Sequence, residues 1–304
     1  MSEKSTNPSK IALIQINLSV LIMGHTTLFA KILPFGAVTI IGVRSIFAAL
    51  AVLAFLFIRK QLHHFVLNRK RDYAFLFSLG ILLALHWVTY FHAIQVSTIS
   101  VGMISLFTYP VFTAILEPFF FGGRISVREI ILCCIVFVGL TLVAFSSTDL
   151  SLDSSYVEGV LWGLFSAIVY SVRNLLTKRN MVYYSSSILL VFQLLVTSIL
   201  LLPFLESNSI ILEWSNLWKW MVLGFFFTAL PHVLYLQGLR KMKATTIGII
   251  STISPIYGTI AAWMYLNEVP TNLTIVGGLL VLGASTYEVI KQQTSLDTQK
   301  NIGG

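Results

Sequence analysis

The chain has 304 residues, of which 56% are hydrophobic and 11% charged, with a mean hydropathy of +0.85 and a formal net charge of +8. Soluble domains carry about a quarter charged residues, so composition excludes an ordinary soluble protein and points to a polytopic membrane protein. The pI of about 9.5 does not indicate nucleic acid, because the basic residues are spread over short connections instead of forming one patch.

A hydrocarbon core of about 30 Å needs roughly 20 apolar residues in helix, and no long stretch alternates with period two as a β-barrel would. Breaks at charges, Pro and Gly predict ten spans, near residues 11–31, 35–58, 73–95, 99–121 and 127–146, then 156–178, 185–205, 216–237, 243–266 and 272–290. The polar residues 1–10 and 291–304 form tails, and the segment from Gln292 to Gly304 is expected to be unstructured. The first span follows a polar decapeptide without a small-residue cleavage site, which predicts an uncleaved helix.

Cytoplasmic loops retain Lys and Arg. With the N-terminus inside, 16 of the 20 basic residues fall on inner connections, among them Arg59, Lys60, Arg69, Lys70, Arg71, Arg124, Arg128, Lys178, Arg179, Arg240 and Lys241. The outer loops hold only Lys31 and Lys219, while Arg44 and Arg173 lie inside spans. Both termini are therefore expected in the cytoplasm. Trp214, Trp218 and Trp220, with Tyr73, Tyr156, Tyr183 and Tyr184, sit where interfacial anchors belong. Cys133 and Cys134 are adjacent within a span, which suits neither a structural disulfide nor a metal site and predicts core filler.

Comparing the halves at an offset near 145 places Tyr90 on Tyr235, Pro110 on Pro255, Ala114 on Thr259 and Ser126 on Thr271. Nearby offsets place Lys31 on Lys178 and Arg44 on Gln193. Each half (11–146 and 156–290) holds five spans, and an odd number forces the second copy to enter from the opposite side. Inverted repeats of this kind place a binding site near the midplane and alternate its access by rocking. Pro110 and Pro255 fall roughly 16 to 18 Å into the fourth and ninth spans at 1.5 Å per residue, near mid-bilayer. Each proline frees the carbonyl four residues earlier, on Leu106 and Ser251, which marks these helices as cavity-lining or hinged rather than merely kinked.

The ten spans, the half repeat, and the segments Tyr235-Leu-Gln-Gly-Leu, Ile253-Ser-Pro-Ile-Tyr257 and Leu266-Asn-Glu-Val-Pro270 resemble the drug/metabolite transporter superfamily, specifically its EamA-type members. The resemblance covers essentially the whole chain. It implies an all-α membrane protein of ten transmembrane helices in two inverted five-helix repeats, with a central cavity bordered by helices 1, 3, 4, 6, 8 and 9. It also implies movement of small organic solutes. The family often has an acid after helices 4 and 9; Glu268 matches the second, whereas Gly123 stands at the first position.

Polar residues inside spans supply the candidate site. Arg44 lies about 13 Å from the end of its span, beyond the roughly 6 Å that snorkelling covers. It either donates to backbone carbonyls or meets solute. Arg173 could snorkel to the inner interface or attract an anion into the cavity. His25, His86 and His232 titrate near neutrality and could carry a proton, or could simply bond backbone carbonyls. His63 and His64 belong to a basic loop. Glu117 could pair with Arg124 or Arg128, and is otherwise the best carboxylate for proton coupling. Trp87, Tyr90, Tyr109, Tyr170, Tyr235 and Tyr257 offer flat surfaces with polar edges, or core packing. Gly277, Gly278 and Gly283 permit close helix approach, within the fold or between protomers.

These readings predict a secondary carrier, an exporter or facilitator in a cell inner membrane, for a small polar or zwitterionic metabolite such as an amino acid. The two arginines favour a carboxylate or phosphate. No GxxxxGK[ST] loop is present, so direct ATP drive is not expected. No cofactor, metal or nucleic-acid partner is expected; the partners are solute and lipid, and the chain is a monomer or homodimer. A membrane enzyme acting on lipid or isoprenoid would need acids or metal ligands at the interface, where the inner loops offer Asp72 and Glu129. A scaffold or sensor would need a partner-binding domain.

Overall fold

The computed structural model describes residues 8–60, 70–122, 127–145, 154–180, 186–206, 213–239 and 250–302. Among these residues the structure is helical without strands. The helices are α1 (Pro8–Thr26), α2 (Phe29–Ile32), α3 (Ala37–Ile58), α4 (Lys70–Val96), α5 (Ile99–Leu106), α6 (Tyr109–Phe121) and α7 (Val127–Ala144). They continue with α8 (Ser155–Asn180), α9 (Ser186–Leu201), α10 (Trp214–Gly224), α11 (Leu230–Leu239), α12 (Ser254–Leu266) and α13 (Asn272–Ile302).

Seven described stretches are long and apolar enough to cross a membrane: Ile11–Ile32, Ala37–Ile58, Arg71–Val96, Ile99–Phe121, Ser155–Thr177, Ser187–Phe204 and Asn216–Tyr235. Ile130–Val143 and Asn272–Tyr287 are shorter apolar helices, and the start of the expected ninth span lies outside the described residues. Large apolar side chains such as Phe57, Phe119, Phe137 and Leu279 are exposed. In water such a surface would aggregate, whereas in lipid it is solvated.

The packing pairs α4 with α8 and α9, α1 with α11 and α12, α3 with α9 and α10, α8 with α5 and α6, and α7 with α13. At the α7/α13 crossing two main chains touch. A Cβ on Gly139 would stand 2.8 Å from the Gly277 carbonyl oxygen, and one on Gly277 would strike the Gly139 carbonyl. Gly278 packs against Ile104, but Gly283 faces open space, so of the three glycines two serve intramolecular packing.

Several helices are interrupted. The fourth span breaks at Phe107 and Thr108, between α5 and α6, and the chain turns at Thr252 and Ile253 before α12. Pro110 and Pro255 each occupy the first turn of the half-helix that follows, where a missing N–H costs nothing. The prolines thus stand at breaks between half-helices and not as kinks within continuous ones. Carbonyls around the break before Pro110 are bonded by hydroxyls: Thr108 Oγ1 donates to Ser105 O at 2.8 Å, Ser285 Oγ to Phe107 O at 2.6 Å and Ser171 Oγ to Tyr109 O at 2.9 Å.

The eighth span contains a π turn, Phe225–Ala229, between α10 and α11. Pro231 cannot donate to Phe227 O; Thr26 Oγ1 of α1 does so instead, at 3.0 Å, and Ser19 Oγ donates to Pro231 O at 2.7 Å. Hydroxyls of α1 thus stitch it to the irregular part of its neighbour.

Three expectations are corrected. Trp220 is fully buried beside Phe35, with ring centroids 5.4 Å apart, rather than at an interface; Trp218 is 52% exposed. The cause is helical phase, which turns Trp220 toward α3. Cys134 is exposed on a groove lined by Ile130, Ile131, Ile135, Val138 and Leu280, so it is not core filler, whereas Cys133 is half-buried. The last helix continues to Ile302 instead of ending near 290, because the segment after Ile290 holds no Pro or Gly to stop it before the final glycines. Tyr183, Tyr184, His63 and His64 lie outside the described residues.

Candidate functional site

Two ends of the bundle differ in what holds them. At the end where α2 meets α3, Lys31 Nζ donates to Ser97 O at 2.6 Å and Gln95 O at 3.3 Å, and lies 3.9 Å from Glu268 Oε1. Glu268 Oε2 accepts from Ile99 N at 2.9 Å, at the start of α5. Gln95 Nε2 donates to Ala30 O and Phe35 O. Beside them, Glu206 Oε1 accepts from Gly36 N at 2.7 Å and Thr39 Oγ1 at 3.2 Å, which caps α3. These bonds bind the first, third, fourth and ninth spans together, and the second to the seventh. Toward the other end, Gln15 Nε2 of α1 donates to Gln237 Oε1 of α11 at 2.8 Å, and Gln15 Oε1 is buried without a donor.

Between the ends lies an aromatic and cationic cluster. Arg44 on α3 is 3% exposed, and its guanidinium carbon sits 4.1 Å from the Trp87 ring centroid and 4.8 Å from that of Phe91. Neither Nε nor Nη1 has a hydrogen-bond acceptor. Of the two roles expected for Arg44, donation to backbone carbonyls is therefore not what these two nitrogens do. Ring quadrupoles attract a guanidinium set against them, yet its N–H edges still require acceptors.

Trp87 meets the His232 ring edge-on at 5.6 Å, and His86 stacks on Tyr170 at 4.5 Å and on Tyr90 at 6.2 Å. Tyr170 meets Tyr109 edge-on at 4.8 Å. Arg173 does not snorkel outward: its Nε donates to Gln193 Oε1 at 2.7 Å, and its guanidinium lies 5.9 Å from the Tyr170 ring. Gln193 Nε2 is tied to Leu189 O at 2.9 Å, so the amide oxygen is held toward Arg173. Arg44 lies over Trp87, which meets His232, and Arg173 lies beside Tyr170, which stacks on His86, so the two cations and the two imidazoles share one neighbourhood.

The hydrogen bonds also determine the histidine tautomers. Ser166 Oγ donates to His86 O at 2.8 Å, so its oxygen accepts from His86 Nδ1–H at 2.7 Å. His232 Nδ1 lies 2.6 Å from Thr228 O, which can only accept. In both rings Nδ1 is spent on the protein, and Nε2 is the nitrogen left for other partners.

Tyr235 hydrogen-bonds Ser251 and, with Tyr257, packs on Ile16, Val20 and Ile250. It remains within electrostatic reach of Arg173, Tyr170 and Tyr109. His25 stays apart from these rings and turns back on its own helix, with Nδ1 2.9 Å from Leu21 O. Glu117 is half-buried on α6, and Arg124, one of its expected partners, lies outside the described residues. Among the described residues no group of three or more His, Cys, Asp or Glu could hold a metal.

The sequence reading missed Phe91, Ser166 and the polar role of Gln193. Gln193 was visible only as the counterpart of Arg44 in the repeat, and a glutamine buried in an apolar span is itself a signal. Pro231 with the three preceding phenylalanines carried the signal for the irregular eighth span.

Residues 10–145 and 157–287 each match the EamA-like transporter family. An uncharacterised transporter of Bacillus subtilis is 21% identical over 95% of this chain and 93% of its own. The pseudopaline exporter of Pseudomonas aeruginosa is 23% identical over 67% of this chain and 71% of its own. An S-adenosylmethionine uptake transporter of Rickettsia felis is 20% identical over 83% of each. A crystallised protein shares the fold with a TM-score of 0.64 at 15% identity, covering 91% of this chain and 95% of the other.

Proposed function

The chain belongs to the EamA-like transporter family, and from that premise we propose that it is a secondary carrier, an exporter or facilitator. Its cargo is a small polar metabolite with an acidic group, of which amino acids are one class. The carrying observation is Arg44: a guanidinium 97% shielded from solvent, with two donors lacking acceptors, set in a wall of rings. Burying such a group costs free energy unless an acceptor arrives. A carboxylate or phosphate supplies one.

Alternating access between two inverted five-helix halves is supported by the packing. Exchanging the first five spans for the last five turns the α4/α8 pair into α11/α1, α5 and α6 on α8 into α12 on α1, and α4/α9 into α10/α3. The α3/α9 and α7/α13 pairs map onto themselves. Every one of these pairs is made. With both termini cytoplasmic, the Lys31 and Glu206 networks close the outer end, and Pro110 and Pro255 sit where half-helices can pivot. Glu117 is the acid we assign to a coupling proton.

Counterflow of labelled metabolites in liposomes tests the reading. Exchange that depends on Arg44 supports it. A protein that folds, binds no metabolite in a thermal-shift screen and exchanges none overturns it.

A further inference from the structure

The charge inventory of the central cluster says more than that one acidic group is bound. Arg44 and Arg173 come from different halves of the chain, and ring contacts lead from each to a histidine of the same cluster, through Trp87 to His232 and through Tyr170 to His86. Among the described residues neither Arg44 nor Arg173 forms an ion pair, unlike Lys31 with Glu268 or His92 with Glu158. Arg173 has its Nε anchored by Gln193, while Arg44 keeps Nε and Nη1 open.

Like charges in a poorly polarisable interior repel; Arg44 is costly until an acceptor reaches its buried Nε and Nη1, and Arg173, half-buried and held by Gln193, adds a second cation without a counter-charge. A monoanion satisfies one guanidinium and leaves the other. A zwitterion brings an ammonium into a cluster that already holds two cations, which repel it. A dianion pairs both. The rings beside the two guanidiniums are Trp87 and Tyr170, the latter stacked on His86, which precedes Trp87 on α4; such aromatic surface suits a short hydrocarbon or planar linker between two acids.

We propose that the solute carries two acidic groups, one engaging Arg44 and the other Arg173, with its linker against the Trp87, His86 and Tyr170 rings. This rests on the carrier reading above and narrows its substrate class from acids to diacids.

The test uses the full-length wild-type protein with four-carbon probes of graded charge: succinate, succinamate, 4-aminobutyrate and 1,4-diaminobutane, with glutarate and adipate to vary spacing. Each is scored by thermal shift and by competition for counterflow. At least one diacid should bind about tenfold or more tighter than succinamate and 4-aminobutyrate, because a charge-assisted guanidinium bond is lost in each analogue. Arg173→Gln should bring the diacid down to the level that succinamate shows on the wild-type protein. If succinamate or 4-aminobutyrate equals every diacid, the two-acid inference fails and the carrier reading stands. If no probe of any charge stabilises or exchanges, while a broader metabolite screen does find cargo, the inference fails alone; silence in both overturns both readings. The wild-type series decides the matter even if an arginine variant does not fold.

Discussion

Gln193 holds Arg173 by its Nε at 2.7 Å while its own amide nitrogen is fastened to Leu189 O at 2.9 Å. The seventh span thereby aims a cation that belongs to the sixth. Replacing Gln193 with Leu strands that Nε–H, so we expect a loss of about 1 to 3 kcal/mol in stability, with Gln193→Glu retaining the fold better. Thermal denaturation of the purified variants in detergent checks both.

Arg44→Lys should keep the fold and lose transport. An ammonium cannot lie flat between Trp87 and Phe91 while presenting an N–H edge. The expected drop in exchange is about tenfold or more, at a change in stability below about 1 kcal/mol. A variant that unfolds instead would make the residue structural.

At the end of the bundle read as outer, the carboxylate and ammonium of Glu268 and Lys31 are partly exposed, so their pair contributes no more than about 1 kcal/mol. The bonds from Lys31 to Ser97 O and from Glu268 to Ile99 N matter more for closure. Lys31→Met should leave folding intact and raise the labelling rate of a cysteine placed at Ser97 by an impermeant reagent. Unchanged labelling would show that the network does not close that end.

Gly277→Ala drives a methyl into the Gly139 carbonyl and should cost about 1 to 3 kcal/mol, whereas Gly283→Ala meets nothing within 4 Å and should be neutral or slightly stabilising. Parallel melting curves separate the two.

If Glu117 carries the coupling proton, Glu117→Gln abolishes acceleration of exchange by an imposed pH gradient while sparing counterflow without one. Persistence of the gradient effect would refute the role. Pro110→Ala and Pro255→Ala should slow turnover more than binding if the half-helices pivot there.

Hydropathy made most of the spans legible, because apolar length is a property of composition along the chain. The companions of Arg44 were legible in part: Trp87 was named from the family scheme, but Phe91, one turn further on α4 at 4.8 Å from the guanidinium, has no polar atom to draw notice. Trp220 went the other way, since three tryptophans in seven residues suggest an interface and only the helical phase shows which one turns inward. A freed carbonyl before Pro110 and before Pro255 was expected, but not that the prolines would begin new half-helices; around Pro110, hydroxyls of Ser171 and Ser285 bond Tyr109 O and Phe107 O from distant spans. Long-range capture of that kind has no local signature.

The π turn at Phe225–Ala229 holds one residue more than a regular helical turn there would. One residue is about 100° of azimuth, so the ring of His232 faces Trp87 because of a slipped phase rather than by the regular wheel of the span. Losing any one of the three consecutive phenylalanines would swing the imidazole away from the tryptophan and pull Phe227 O and Pro231 O off Thr26 and Ser19.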